Sequence, residues 1–137
     1  MNVKRWLLAS VTVFVIIFIL EMVIHGVLLA GIYQETATVW RPQAEMEATM
    51  WYMWLGYLIF APAFVYIYVR GYESGKDGLA QGLRYGVIVG ILLSIPQSLG
   101  WYSVLPIPAA LALYWAVAGM AEVIIAGMAT GLIYKKT

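Results

Sequence analysis

Glu21 and His25 stand four residues apart in an otherwise apolar run, so on a helix they share one face. A second carboxylate, Glu122, lies in another apolar run, and Gln97 lies in a third, beside Pro96. Such groups are costly in hydrocarbon unless they face a protein interior or water. Two carboxylates together with the chain's one histidine therefore point to a shared site. In one chemistry Glu21 accepts a hydrogen bond from His25, or pairs with it as an ion, while Glu122 stays neutral. Such a cluster can carry a proton, bind a cation or hold a small ligand. In another, Glu21, His25 and Glu122 offer one imidazole and two carboxylates to iron, manganese or zinc, with water or a second subunit completing the shell. A haem would have to be held through His25 alone, for instance across a dimer. The plainest alternative is a polar clamp, in which these side chains hydrogen-bond across helices and fix packing without further chemistry. The residues name no cofactor.

Counting residues sets the expected depths. At 1.5 Å per residue, Glu21 is about 24 Å beyond Arg5, Glu122 about 20 Å before Lys135, and Gln97 about 20 Å beyond Arg84. The same count puts His25 roughly 6 Å further out than Glu21. Glu21, Gln97 and Glu122 are thus expected in one layer, with His25 above it.

Other chemistries find little support. Cysteine is absent, which excludes disulfides and thiolate-ligated metals within the chain. Ser94, Ser98 and Ser103 have no His–Asp partners nearby, so the chain reads as a binding or translocation module rather than an enzyme. The 8 basic residues form no stripe, and net charge is only +1, so nucleic acid is not an expected partner. Gly75-Lys76 lacks the strand and spacing of a phosphate-binding loop, so neither is a nucleotide.

The elements that must position the polar residues follow from composition. Of 137 residues, 64% are hydrophobic and 11% charged. A soluble domain carries about 25% charged residues, so this chain cannot cover itself with a wet surface. Mean hydropathy is +0.86. Four apolar runs, 6–32, 51–69, 83–101 and 109–134, are each near the roughly 20 residues needed to span a bilayer. The first begins after Lys4 and Arg5 like a signal peptide, but its apolar run exceeds the 7–15 residues of such a segment. The third contains Pro96, which predicts a kink near 94–97, or else a short re-entrant element.

Charge asymmetry sets the orientation. With four spans, one side carries Lys4, Arg5, Arg70, Lys76, Arg84, Lys135 and Lys136, and the other carries Arg41 alone. The positive side is expected to be cytoplasmic, with both termini there. Trp40, Trp51, Tyr52, Trp54, Trp101 and Tyr102 fit an outer interfacial belt. Tyr66, Tyr68, Tyr72, Tyr85 and Tyr134 fit an inner one.

Loops and faces complete the reading. Residues 33–49 form an outer loop in which 42–50 fit a short helix started by Pro42. This loop is an interfacial linker, or a cap over a cavity or a partner surface. Residues 70–81 read as a solvated turn. Gly78, Gly82, Gly86 and Gly90 recur every fourth residue, continued by Ser94 and Ser98. Small residues at that spacing let helix backbones approach closely in lipid. The partner face is Gly119, Gly127 and Gly131 of the fourth span, or another subunit, for instance in a homodimer.

The layout resembles that of small four-span bacterial inner-membrane proteins, with Glu-Met-Val-Ile-His-Gly at 21–26 and Trp-Arg-Pro at 40–42 as its distinctive stretches. That resemblance implies the inner (plasma) membrane as location, membrane lipids as neighbours, and no specific activity. The expectation is an all-α, four-helix transmembrane bundle of one domain with a Glu21/His25/Gln97/Glu122 cluster. The runner-up is a structural or accessory subunit that associates through its glycine faces.

Overall fold

The computed structural model describes residues 1–134. Lys135 and Lys136, which enter the charge argument, lie outside the described residues. Among the described residues the chain is all-helical: α1 (Val3–Val23), a π turn (Ile24–Leu28), α2 (Ala30–Glu35), a 3-10 turn (Ala37–Val39), α3 (Gln43–Arg70), α4 (Gly78–Val104) and α5 (Ala109–Ile133). Four helical stretches, Val3–Leu28, Gln43–Arg70, Gly78–Val104 and Ala109–Ile133, are long and apolar enough to cross a membrane.

Helix starts are set by local chemistry. The Asn2 side chain accepts from Arg5 N, and the Asp77 side chain accepts from Ala80 N, capping α1 and α4. Pro42 and Pro108 precede α3 and α5, where the fixed φ of proline suits a helix entrance. No break separates the outer-loop helix from the second span. Residues 43–50 are good helix formers without Gly or Pro, so they extend the second span into one α3 of 28 residues. At 1.5 Å per residue α3 is about 42 Å long, more than the roughly 30 Å of a hydrocarbon layer. Pro96 lies inside α4 without ending it, so α4 is one 27-residue helix and not a short re-entrant element.

The packing forms a ring. α1 lies against α3 and α5, and α4 lies against α5. α3 and α4 meet through Tyr85, whose hydroxyl donates to the Phe64 carbonyl at 2.6 Å. The α4–α5 contact is antiparallel and backbone-close. A Cβ on Gly78 would stand 2.2 Å from Gly131 O, one on Gly82 2.2 Å from Gly127 O, and one on Gly86 2.7 Å from Ile124 Cα. Gly90 faces Met120, and Gly119 faces the Ser94 side chain. The glycine faces of α4 and α5 are thus spent on each other inside one chain.

Two apolar clusters fill the ring. The larger joins Ala9, Val13 and Ile17 of α1 to Ala61, Phe64 and Val65 of α3 and Val123 and Ala126 of α5. The smaller, Leu29 with Ile107, Leu111 and Ala112, folds the segment after α1 over the α4–α5 turn, together with Tyr33, Trp40 and Trp115. The two chain ends meet at the other end of the molecule. Asn2 N donates to the Tyr134 hydroxyl, and Arg5 Nη1 donates to Ile133 O at 3.0 Å. Many large apolar side chains, among them Leu8, Val11, Ile59, Leu92 and Val117, point outward. A soluble monomer rarely shows so continuous an apolar surface.

Candidate functional site

Glu21 stands on the last full turns of α1, buried between α3 and α5. Its two oxygens have different partners. Tyr57 of α3 donates its hydroxyl to Oε1 at 2.5 Å. His25 Nε2 stands 3.5 Å from Oε2. Glu122 of α5 is equally buried, at 8% exposure, and brings its carboxyl against that of Glu21. Glu122 Oε1 is buried and takes no hydrogen bond from any described residue. The site therefore holds two carboxyls in contact, one with a hydroxyl donor and an imidazole beside it and one short of a donor.

His25 belongs to the π turn, and that turn decides what lies on its far side. Leu29 N donates to Ile24 O, an i→i+5 bond that widens the turn by one residue. Tyr33 is eight residues beyond His25. On a regular helix eight residues are about 800°, leaving Tyr33 some 80° round from His25. One extra residue in the turn takes back about 100°, which returns Tyr33 to the face of His25. Accordingly His25 Nδ1 and the Tyr33 hydroxyl stand 2.5 Å apart. The rings are stacked with centroids 5.9 Å apart. Trp115 of α5 donates its indole N–H to the same Tyr33 oxygen at 2.7 Å.

With His25 neutral and Glu21 ionised, these contacts admit one set of donors. With the indole N–H pointed at the Tyr33 oxygen, the Tyr33 hydroxyl proton points to His25 Nδ1. The remaining ring nitrogen, Nε2, then carries its hydrogen toward Glu21. Trp115, Tyr33 and His25 are linked by hydrogen bonds, His25 Nε2 lies in contact with Glu21 at 3.5 Å, and Tyr57 donates to Glu21 from the other side. The outer members are braced by their surroundings. Trp40 donates to the buried Thr36 hydroxyl at 3.0 Å and meets the Tyr33 ring edge-on.

The arrangement departs from the sequence expectation at several residues. Glu21, His25 and Glu122 are brought together. Gln97 is not: its side chain is exposed on α4, beside Gly100, Trp101 and Val104. The cause is the α4–α5 register. Gly90 faces Met120 and Gly86 faces Ile124, so Glu122 is level with the turn between them, and Gln97, about nine residues further along, lies roughly 13 Å beyond it. Ser94 and Ser98 occupy the buried face of α4 instead. Nor do Glu21, His25 and Glu122 make a metal-ligand trio: among the described residues no group of three His, Cys, Asp or Glu side chains is so arranged. Both ring nitrogens of His25 already face partners, which leaves none turned toward a metal or a haem iron.

Sequence reasoning missed Tyr57, Tyr33 and Trp115. Tyr57 carried a usable signal, since it lies well inside α3, deeper than an interfacial ring belongs. Tyr33 and Trp115 carried none, because the π turn that unites them leaves no mark in the apolar pattern.

The solvated turn between α3 and α4 is built separately. Gln81 Nε2 and Oε1 bond the Glu73 backbone, and Gly75 takes φ +81°, a conformation suited to glycine. Glu73 pairs with Lys76 and with Arg84. The Lys76 ammonium, followed by the Arg84 guanidinium, holds the Glu73 carboxyl below its ordinary 4.5. A cleft of about 360 Å³ lined by Met1, Tyr66, Val69, Arg70 and Tyr134 opens at the terminal end, away from Glu21. Compared with known proteins, the chain matches no family model, no curated protein and no solved structure.

Proposed function

We propose that this chain is a multi-pass membrane protein, with both termini cytoplasmic, that holds a proton on the buried carboxyl pair Glu21–Glu122. The reading makes it a small proton-binding module of a bacterial inner membrane, and translocation of that proton is the activity such a pair would serve. The orientation rests on the excess of Lys and Arg at the terminal end. The location rests on the resemblance in layout.

The observation that carries the reading is the contact between the two carboxyls, with Glu122 Oε1 buried and without a donor. Two ionised carboxylates side by side in an apolar interior repel each other strongly. One proton placed between them turns that repulsion into a hydrogen bond and supplies the missing donor. This is the chemistry of carboxyl pairs that share a site. Glu21 already receives Tyr57 and has the His25 ring beside it, so it is the better-solvated anion, and the proton rests on Glu122. The glycine-face subunit reading loses its main argument, because those faces are covered within the chain.

Infrared spectroscopy of the protein in lipid tests the proposal. A protonated-carboxyl C=O band is expected at neutral pH, and Glu122→Gln is expected to remove it. Absence of the band in the wild type, or its persistence in both Glu21→Gln and Glu122→Gln, would overturn the reading.

A further inference from the structure

We infer that the carboxyl pair exchanges its proton with the surroundings through His25 and Tyr33, at the end opposite the chain termini, and is sealed from the terminal end by an apolar plug. The inference rests on the proton-holding reading above and adds its route and its direction.

The open side is a line of polar atoms, a hydrogen bond at its outer step and a close contact at its inner one. Tyr33 oxygen to His25 Nδ1 is 2.5 Å, and His25 Nε2 to Glu21 Oε2 is 3.5 Å. Exposure rises along the line, from 10% for the Glu21 side chain to 33% for that of His25. The i, i+4 spacing aligns Glu21 with His25 and the π turn aligns Tyr33 with His25, and such turns recur at functional positions in helices.

The closed side offers no such line. Toward the termini, the neighbours of the pair are Val13 and Ile17 on α1, Ala61, Phe64 and Val65 on α3, and Val123 and Ala126 on α5. Val13, Val65 and Ala126 are fully buried, and none of the seven carries a hydrogen-bonding side chain. Side-chain hydroxyls at or beyond them on α1, α4 and α5, Ser10, Tyr85 and Thr130, are turned to the backbone carbonyls of Trp6, Phe64 and Ala126. The titratable groups around the pair are therefore Glu21 and His25 from α1, Tyr33 from α2, Tyr57 from α3 and Glu122 from α5. Of the titratable side chains of α4, Tyr85 is the one that packs against the core cluster.

The transfer balances without any co-reactant but water. A hydronium ion gives a proton to the Tyr33 oxygen as the hydroxyl proton passes to His25 Nδ1. The Nε2 proton passes to Glu21 Oε2, from which Glu122 receives it. His25 is left neutral with its hydrogen on Nδ1, and the starting tautomer returns when the pair gives a proton back along the same line, from Glu21 to Nε2 and from Nδ1 through the Tyr33 oxygen to water, which completes the exchange.

The test follows the infrared band of the protonated carboxyl after transfer of the lipid-embedded protein into D2O. Tyr33→Phe keeps the ring stacked on His25 but removes the relay oxygen, and it is expected to slow the H-to-D shift of the band at least tenfold. His25→Gln keeps two polar contacts but cannot pass a proton, and the same slowing is expected, so either variant suffices if the other does not fold. Tyr85→Phe, beyond the plug, is expected to exchange at the wild-type rate. Wild-type rates in Tyr33→Phe and His25→Gln, or slowing in Tyr85→Phe instead, would overturn the route while leaving the carboxyl pair in place. A wild type with no band at all would bring down the proton-holding reading, and the route with it.

Discussion

A carboxylate in an apolar interior costs several kcal/mol unless donors reach its oxygens, and Glu21 has the Tyr57 hydroxyl on one oxygen and the His25 ring 3.5 Å from the other. Glu122 has the opposite balance, a buried oxygen without a donor and a second carboxyl as its neighbour. That contrast makes the pair chemically asymmetric and gives each member its own part in the proposal. Glu73, outside the spans, shows the same physics in water. Its carboxyl is held below 4.5 by Lys76 first and Arg84 second. Because its folded value is the lower one, any stability it lends is present above its unfolded value and is lost as pH falls through the folded value. Lys76→Gln is expected to raise the Glu73 titration midpoint toward 4.5, as read by carboxyl-carbon NMR in micelles. An unchanged midpoint would mean that the pair is not maintained in solution.

The elements differ in how tightly they are constrained. α4 and α5 touch backbone to backbone, and a Cβ at Gly82 would meet the Gly127 carbonyl at 2.2 Å. Neither helix can yield without opening the whole contact, so Gly82→Val is expected to cost about 3 kcal/mol or more, at the upper end of overpacking effects. Gly31 on α2 has nothing within 4 Å of its would-be Cβ. Gly31→Ala is expected to be neutral or to stabilise by about 0.5–1 kcal/mol, since alanine loses less freedom in a helix. Thermal unfolding of both variants in the same detergent checks the contrast. Equal effects at the two positions would contradict the close contact between the helices.

At the scale of the whole molecule, the polar cluster lies inside and the apolar surface outside, the arrangement a lipid solvent demands. Four long helices satisfy most of their backbone groups along their own length, with Pro62 in α3 and Pro96 in α4 each removing one helical hydrogen bond. The chain contains no cysteine, which makes single-cysteine labelling direct. Ser74→Cys, in the exposed turn after α3, is expected to react only from the cytoplasmic side. Thr38→Cys, in the exposed 3-10 turn, is expected to react only from the opposite side. Labelling of both from one side in sealed vesicles would contradict the orientation.

The sequence alone determined that there are four long apolar helices, because a run of some 20 apolar residues has few other uses. It also marked Glu21, His25 and Glu122, since charge stands out against an apolar background. Helix ends were less legible: residues 42–50 read as a separate element because nothing local says whether two adjoining helical stretches fuse. Which polar residues meet was decided only in three dimensions. Gln97 looked level with Glu122 when depth was counted from flanking charges, but depth in a bundle is set by helix register, and Gly90 against Met120 moves Gln97 past the site. Tyr33 became a partner of His25 through one widened turn, and Tyr57 became a partner of Glu21 through the α1–α3 contact. A local pattern encodes how apolar each stretch is. The rotation and axial shift of one helix against another arise from the packing of all of them together.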